Sequence, residues 1–537
     1  MKLARTASVA LTGITGHLVH VEAHLSAHIP RFTLVGLPDT ALNESRDRVR
    51  AAVESCGLTL PPQRITVNLQ PASLPKTGSA FDLAIAVAVL TAAAPEPSRG
   101  TVATRVHLGE LGLDGEILPV RGVLPAVRAA VAAGYPDVVV PRANRAEAEL
   151  VTGATVRAYG HLAELLADLG FHVCAEARGS GAGGPEVHGA RGTHPSTRPQ
   201  CDAAHSAPSL SQSAPRDGLG DWSDVSGQQE AKYALEVAAA GGHHALLIGP
   251  PGTGKTMLAS RLPGILPPLS TEDALQVATV RSVLGEFTGR LDHTPPFVAP
   301  HHTASRVALV GGGSAIARPG AISRAHLGVL FLDEAPEFPS STLQALRQPL
   351  EHGTITLHRA RTATTYPARF QLVLAANPCP CGYGYGKGER CTCTPHAKRR
   401  YLQVLSGPLL DRVDIRTTVG PVTSTRLDPH AESSAQVAVR VHAARERAAR
   451  RWANYPWSTN AEVPGRVLRG PDSSIPPRVH AMLDRQLALG ALTLRGADRI
   501  LRLTLTIADL AGKSAPDAAD LGAALHLRTG DHHGGVA

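Results

Sequence analysis

The feature that most constrains this chain is a glycine-rich segment at residues 249–256. It follows the apolar run Ala245–Ile248 and precedes a helix-forming stretch. A strand, a glycine-rich turn and a helix in that order predict a phosphate-binding P-loop. Glycines let backbone N–H groups close around anionic oxygens, and the helix N-terminus adds its dipole. The predicted nucleotide-binding residues are Gly249, Pro250, Pro251, Gly252, Thr253, Gly254, Lys255 and Thr256.

Within this loop, Lys255 is expected to reach the β- and γ-phosphates of ATP, and Thr256 to place its hydroxyl on Mg²⁺. Hydrolysis needs a second, acidic strand, which residues 329–334 supply. Four apolar residues predict a buried parallel strand whose carboxylates emerge at its carboxyl end. We expect Asp333 to support Mg²⁺ and Glu334 to polarise the attacking water. The alternative is an ordinary strand that ends in acidic residues.

Two further polar residues fit an ATPase. The apolar run 370–376 ends at Asn377, which can contact the γ-phosphate or orient the water; the alternative is an Asn that closes a turn. Arg412 follows in residues 409–414 and is a candidate arginine finger for a neighbouring subunit's nucleotide. The alternative is a surface arginine paired with Asp411 or Asp414.

The last helical pattern opens near Arg495, the candidate for a second sensor arginine on a helical lid. Arg499 and Arg502 belong to the same pattern and are rivals for that role.

Four of the seven cysteines lie within fifteen consecutive residues, and this clustering favours a metal site over disulfides in a cytosolic protein. Four thiolates can complete a tetrahedral structural Zn²⁺ site, although the spacing is C-x-C where C-x-x-C is usual. His396 could replace one cysteine, and free or redox-active thiols are the alternative. The predicted ligands are Cys379, Cys381, Cys391 and Cys393.

Length and composition set the domain plan. A chain of 537 residues is too long for a single core. We predict an α/β protein with a first domain at 1–172, a flexible linker rich in Gly, Pro, Ser and Arg at 173–221, a P-loop domain at 222–422 and a helical domain at 423–530.

The net charge of +8 is compatible with a polyanionic partner, and a compositional bias toward arginine is the alternative. No apolar run is long enough to span a bilayer and no signal pattern opens the chain, so we expect a cytoplasmic protein.

The order of these motifs resembles AAA+ ATPases, and more narrowly the magnesium-chelatase-like YifB/ComM family. The residues that carry the resemblance are 224–228, the P-loop, 300–305, 311–314, 328–338, 377–382 and 406–408. The resemblance implies a hexameric ring with ATP at the subunit interfaces, and residues 224–228 near the adenine. It also implies a DNA helicase that drives branch migration during natural transformation.

Candidate DNA contacts lie in two insertions. About sixty residues separate the P-loop helix from the acidic strand, more than a crossover needs. This stretch resembles the pore-lining insertion of related ring helicases, and residues 351–361 alternate as a hairpin does. Small polar, His and Arg side chains there can grip phosphates without reading bases. The candidates are His301, His302, Ser305, Arg306, Arg359 and Arg361. The alternatives are a solvated hairpin packed between subunits and, for the adjacent histidines, a metal pair.

Residues 75–80 and 108–120 resemble the S5-like proteolytic domain of Lon. That family pairs a serine nucleophile with a lysine base. The resemblance puts Leu124 where the lysine belongs, and Lys76 lies in a different motif, three residues before Ser79. The first domain is therefore interpreted as a non-proteolytic platform for ring assembly or DNA contact. A magnesium-chelatase-type ATPase subunit acting on a partner, and an ATP-dependent protease, are the competing functions.

Overall fold

The computed structural model describes residues 2–37, 39–74, 76, 78–94, 102–173, 220–313, 317–358, 363–386, 390–405, 409–421, 429–471 and 473–530. These residues form two compact units. One contains the described residues up to 173 together with 278–292, and the other contains 220–277 and the residues after 292. The predicted linker lies almost wholly outside the described residues.

The first unit is built on a mixed seven-stranded sheet of order β3-β4-β2-β1-β5-β8-β9. Its strands are β1 (Lys2–Thr12), β2 (Thr15–Ser26), β3 (Arg31–Val35), β4 (Arg64–Gln70), β5 (Val106–His107), β8 (Asp137–Pro141) and β9 (Thr155–Tyr159), and β6 (Glu110–Leu111) pairs separately with β7 (Ile117–Leu118). Its helices are α1 (Thr40–Asn43), α2 (Ser45–Ser55), α3 (Asp82–Ala93), α4 (Val123–Ala132), α5 (Arg145–Ala148) and α6 (Leu162–Asp168), with a 3₁₀ turn at Arg142–Asn144.

Helix α3 forms the centre of this unit's core. It is apolar on all sides, and a helix with that pattern must be buried on all sides. Its one acidic residue, Asp82, is fully buried and accepts a 2.6 Å hydrogen bond from Arg48 Nε, which keeps the carboxylate paired.

The second unit contains a five-stranded sheet of order β11-β14-β17-β10-β18. All its pairings are parallel. The strands are β10 (Ala245–Ile248), β11 (Phe297–Val298), β14 (Val329–Leu332), β17 (Gln371–Ala376) and β18 (Ile415–Thr418). Two hairpins stand apart from the sheet, β12 (Gly311–Gly312) with β13 (Arg318–Pro319), and β15 (Thr354–His358) with β16 (Ala363–Pro367).

The second unit also contains the helices α7 (Gln229–Gly241), α8 (Lys255–Ile265), α10 (Arg306–Val310), α11 (Ala321–Arg324), α12 (Ser340–Gln344), α13 (Arg347–His352), α14 (Pro395–Gln403), α15 (Ser434–Arg451), α16 (Gly465–Leu468), α17 (Pro477–Ala488), α18 (Leu494–Leu510) and α19 (Ala518–Thr529). Helix α9 (Thr271–Leu284) begins in this unit, and its residues from 278 onward belong to the first unit. Short 3₁₀ turns occupy Trp222–Asp224, Ala335–Glu337, Leu410–Arg412 and Asn460–Glu462. The prediction of an α/β protein with a parallel sheet is confirmed.

Strand register decides which residues can meet. Ile248 pairs with Ala376 at the ends of β10 and β17, and Leu332 pairs with Leu374 at the end of β14. The segments that follow these three strands therefore leave the sheet at one edge, its carboxyl edge. Ligands of open α/β sheets bind at that edge.

The C-terminal helices share one hydrophobic core with the sheet. Val437 of α15 and Ile500 of α18 are fully buried in the cluster that also contains Leu247 of β10. Ser433 and Gln436 form a capping box that starts α15, which accounts for the sharp beginning of that helix. No helix among the described residues combines the length and the apolarity that crossing a bilayer requires.

The buried His107 leads to a prediction about acid stability. Its Nδ1 lies 2.8 Å from the Thr6 hydroxyl, and Nε2 has no hydrogen-bond partner among the described residues. Burial, with the charge of Arg105, lowers its pKa from 6.5 to about 3. Because the folded pKa is the lower one, the unfolded chain binds the proton first. Stability should therefore fall by about 1.4 kcal/mol for each pH unit below 6.5, until the folded pKa is reached.

Urea unfolding at about pH 7.5 and about pH 5.5 measures this effect. A His107→Gln chain should lose roughly 1 kcal/mol less than the parental chain between the two values. A His17→Gln chain, changed at an exposed histidine, is the control and should behave as the parent does. Equal losses in all three chains would contradict the assignment of a neutral, buried His107.

Candidate ATPase site

The P-loop occupies the carboxyl edge directly after β10. Gly254, the last loop residue before α8, has φ +88°, a left-handed value that favours glycine. A Cβ on Gly249 would lie 2.2 Å from the Val419 carbonyl oxygen, so no larger residue fits there. The sequence thus folds this loop tightly against the strand, with the N-terminus of α8 facing the space where phosphates bind.

The Lys255 ammonium lies inside the loop. Its Nζ donates hydrogen bonds to the carbonyls of Gly249 and Pro250, at 2.7 and 2.8 Å, and to Asn377 Oδ1 at 3.1 Å. Burial lowers the pKa of Lys255, and the nearby carboxylates of Asp333 and Glu334 oppose that shift. Lys255 and Asn377 are therefore brought together as a P-loop ATPase requires.

Asp333 completes the candidate Mg²⁺ position. Its Oδ2 accepts a 2.5 Å hydrogen bond from the Thr256 hydroxyl, and its Oδ1 accepts one from the Glu334 backbone N–H at 2.9 Å. A hydroxyl and a carboxylate beside a phosphate-binding loop are the oxygen donors that Mg²⁺ prefers. The donor set therefore fits Mg²⁺ bound together with a nucleotide triphosphate.

Glu334 has a partner that sequence reasoning missed. Its Oε2 lies 3.1 Å from His302 Nδ1, and the His301 and His302 rings are 4.1 Å apart. His302 follows β11, which pairs in parallel with β14, so both side chains leave the sheet at the same edge. Only the position of β11 beside β14 could have predicted this contact. Strand β11 is two residues long, which is too short to recognise from sequence.

Arg412 and Arg495 lie at the other edge of the sheet. Arg412 precedes β18, whose first residue, Ile415, pairs with Ala245 at the start of β10. Its guanidinium forms an ion pair with Glu351. Burial and the nearby cations of Arg347, Arg499 and Arg495 lower its pKa.

Arg495 is 86 % exposed and lies 3.9 Å from Asp411 Oδ2. The rivals on its helix are engaged elsewhere, since Arg499 pairs with the buried Asp414 and Arg502 donates to the Val463 carbonyl at 2.8 Å. Of the three, Arg495 is thus the one with a side chain open to solvent.

The candidate DNA contacts are spread over several elements. Ser305 caps α10, accepting a 3.2 Å hydrogen bond from the Ala308 N–H, and Arg306 is exposed at the start of that helix. His301 bonds to the Thr303 hydroxyl at 2.8 Å. The hairpin expected at residues 351–361 is present as β15 and β16, but Arg359 and Arg361 lie outside the described residues. Their contact with DNA stays a prediction.

The four clustered cysteines converge. Cys379 Sγ lies 3.4 Å from Cys381 Sγ and 3.6 Å from Cys391 Sγ, and all four sulfurs, including that of Cys393, lie within 4.8 Å of one another. Sulfurs of a tetrahedral Zn²⁺ site with bonds of about 2.3 Å would be about 3.8 Å apart. The Tyr383 backbone N–H lowers the pKa of Cys381 to about 6, which favours a thiolate. The donor set fits Zn²⁺ without His396.

Family models match most of the chain. Residues 221–427 match the model "Magnesium chelatase, subunit ChlI", residues 21–144 match "Subunit ChlI of Mg-chelatase", and residues 431–528 match "Magnesium chelatase, subunit ChlI C-terminal". YifB of Escherichia coli is 39% identical over 95% of this chain and 94% of its own length. Competence protein ComM of Haemophilus influenzae is 39% identical over 96% of this chain and 95% of its own length. The chain belongs to the magnesium-chelatase-like YifB/ComM family.

Two further relatives are similar to this chain, one over nearly its whole length and one over a part of it. Protein Rv2897c of Mycobacterium tuberculosis is 49% identical over 98% of the chain and 99% of its own length. A partial similarity of 28% to the Lon protease of Trichlorobacter lovleyi covers 26% of this chain.

In the first unit the Ser79 hydroxyl donates to Glu110, while Lys76 is fully buried and donates to the Pro71 carbonyl. These contacts give Ser79 a carboxylate partner and give Lys76 a backbone partner.

The sulfur geometry predicts bound metal. Purified full-length protein should contain about one Zn²⁺ per chain, measured by elemental analysis. Replacing Cys391 by Ser removes one ligand and should lower that content to well below half an equivalent. Cys56→Ala, at a buried cysteine of the first unit, is the matched control and should keep the metal. Parental protein with less than about half an equivalent would contradict a stoichiometric site.

Proposed function

We propose that this protein is an ATP-hydrolysing motor that acts on DNA as a ring of identical subunits. The observation that carries the ATPase part is the meeting of Lys255, Thr256, Asp333, Glu334 and Asn377 at one sheet edge. Lys255 would bind the β- and γ-phosphates, and Thr256 and Asp333 would hold the metal. Mg²⁺, when bound, neutralises charge on the phosphates.

Glu334 is the general base in this proposal. Its carboxylate accepts a proton from the attacking water, and Asn377 orients that water or the γ-phosphate. His302 is placed to hold the Glu334 carboxylate in position, because it is the partner of that carboxylate in this fold.

The position of Arg412 supports the proposal of a ring. The four-residue strands β10 and β18 separate the start of the sheet from the P-loop by about 13 Å, so Arg412 lies at the end of the sheet away from its own chain's P-loop. An arginine finger at that position has to serve the P-loop of a neighbour. Arg495, exposed on the same side next to Asp411, is proposed to act with it as the second sensor. In this proposal the C-terminal helices α15 to α19 are the lid that delivers Arg495.

We propose six subunits and a DNA substrate because the chain belongs to this family. One relative carries the name competence protein, which supports a role in natural transformation. We propose helicase activity that promotes branch migration, with the strand held in a central pore by residues of the two insertions, including Arg306 and the β15–β16 hairpin. The first unit, with its partial similarity to Lon, is proposed to be an S5-like, non-proteolytic platform.

A second candidate is an ATPase subunit that helps a partner insert Mg²⁺ into a substrate, because the matching family models are named for magnesium chelatase. The two functions differ in the effect of DNA. Only the motor should hydrolyse ATP faster when DNA is present.

The decisive measurement is the ATPase rate with and without single-stranded or forked DNA. We expect stimulation by DNA in the parental chain. Glu334→Gln should still bind ATP, but its turnover should fall about 100-fold or more because the general base is lost. A parental rate that ignores DNA, with no salt-sensitive DNA binding, would favour the chelatase-type function. A Glu334→Gln chain as fast as the parent would contradict the role of Glu334.

Mixed rings test the shared site. Lys255→Ala removes the phosphate contact of a chain's own P-loop, and Arg412→Ala removes the finger that a chain offers to its neighbour. Each variant alone should be inactive. Mixing them should restore part of the activity, because some interfaces then combine an intact P-loop with an intact arginine. The measurement is ATPase rate against mixing ratio, and a strictly linear sum of two inactive chains would show self-contained sites.

A further inference from the structure

One short segment that follows Asn377 carries a net positive charge. Residues 378–405 contain five basic residues and one acidic residue, which gives them a net charge of +4 against +8 for all 537 residues. The segment comprises the four cysteines and helix α14. We call it the cysteine knuckle.

Three arginines of the knuckle are exposed to solvent. Arg399 and Arg400 are exposed on α14, and Arg390 is exposed just before Cys391. None of the three forms an ion pair with a residue that the structure describes. On α14 the exposed residues follow helical spacing, and His396 and Gln403 lie on the same face as the two arginines. The opposite face is anchored by the buried Tyr401. Such a face attracts polyanions.

Aromatic side chains accompany these charges. Tyr383 and Tyr385 are 43% and 40% exposed, unusual values for large aromatic residues. The Arg390 guanidinium lies 4.6 Å from the centroid of the Tyr383 ring. Rings interleaved with arginines form the arrangement that binds unpaired bases, since each base can stack on an aromatic face while the cations hold the phosphates.

We propose that the cysteine knuckle binds single-stranded nucleic acid independently of sequence. Arg390, Arg399 and Arg400 contact phosphates, and Tyr383 and Tyr385 stack on bases. This inference deepens the proposed function, on which it rests, because it names a contact surface separate from the two insertions.

The knuckle is joined to the ATPase site at both ends. Cys379 follows Asn377 by two residues, and Gly382 packs so closely on the P-loop that a Cβ there would lie 2.7 Å from Pro251. At the other end, Tyr401 lies against the backbone of Asn377, and burial together with Glu337 raises its pKa to about 12. A strand held by the knuckle therefore acts on the loop that carries Asn377 and on the P-loop itself.

The test uses the full-length protein and a labelled oligodeoxythymidine, with affinity measured by fluorescence anisotropy over a range of salt concentrations. The triple variant Arg390→Gln, Arg399→Gln, Arg400→Gln should bind at least about tenfold more weakly near 0.1 M salt. Its slope of log affinity against log salt should be shallower by about 2, since each single-strand phosphate contact contributes about 0.7. The double variant Tyr383→Ala, Tyr385→Ala should lose fivefold or more with little change in slope.

The matched control replaces three exposed arginines elsewhere in the second unit, Arg466, Arg478 and Arg485, by Gln. It removes the same charge and should keep the parental slope. Zinc content and melting temperature show whether each variant is folded.

The outcomes distinguish a failure of the proposed knuckle contact from a failure of the proposed motor function. If the parent binds the oligonucleotide and the arginine variant binds it equally well, the knuckle does not bind the strand, and the proposed motor function stands. If the tyrosine variant matches the parent while the arginine variant loses duplex and single strands alike, the preference for unpaired bases is wrong. If the parent binds no DNA, the proposed function fails and this inference fails with it.

Discussion

The parallel pairing of β10 with β17, and of β17 with β14, is the constraint on which the rest of the site depends. It places the ends of three strands at one edge, so the P-loop, the acidic pair and Asn377 converge although more than a hundred residues separate the first from the last. The hydrogen bonds from Lys255 to Asn377 and from Thr256 to Asp333 follow from this register. A shift of one residue in either pairing would turn these side chains to the other face of the sheet.

The opposite edge is fixed by a buried polar network. His243 contacts Asp414 Oδ2 at 3.0 Å and the Thr506 hydroxyl at 2.8 Å, and Asp414 also pairs with Arg499. Burial opposes ionisation of Asp414, but the His243 hydrogen bond and the charge of Arg499 hold the pKa of that carboxyl far below its usual range. The network ties the starts of β10 and β18 to α18, and so it fixes the elements that carry Arg412 and Arg495. Paired, buried charges of this kind are costly to break, which makes the geometry rigid.

How much the sequence could predict depends on how local each signal is. The P-loop, the acidic strand and the cysteine cluster are encoded in short contiguous motifs, and the structure brings each of their side chains together. The contacts of His302 with Glu334 and of Arg412 with Glu351 are not encoded in that way. They arise because separate segments leave the same sheet edge, and the strand order that decides this is a tertiary property. For Arg412 the sequence offered pairing with Asp411 or Asp414 as the alternative to an arginine finger, and the fold adds Glu351, near the end of α13, as a partner that no local pattern indicates.

The two edges together explain why one chain is an incomplete enzyme in the proposed function. The carboxyl edge holds the groups proposed to bind ATP, position the metal and activate water. The amino edge holds Arg412 and Arg495, the arginines proposed to serve a neighbouring subunit. A charge that develops during reaction needs a donor already in place. Copies that pack with the carboxyl edge of one against the amino edge of the next join the two halves. That contact is head-to-tail, and a head-to-tail contact that closes produces a ring.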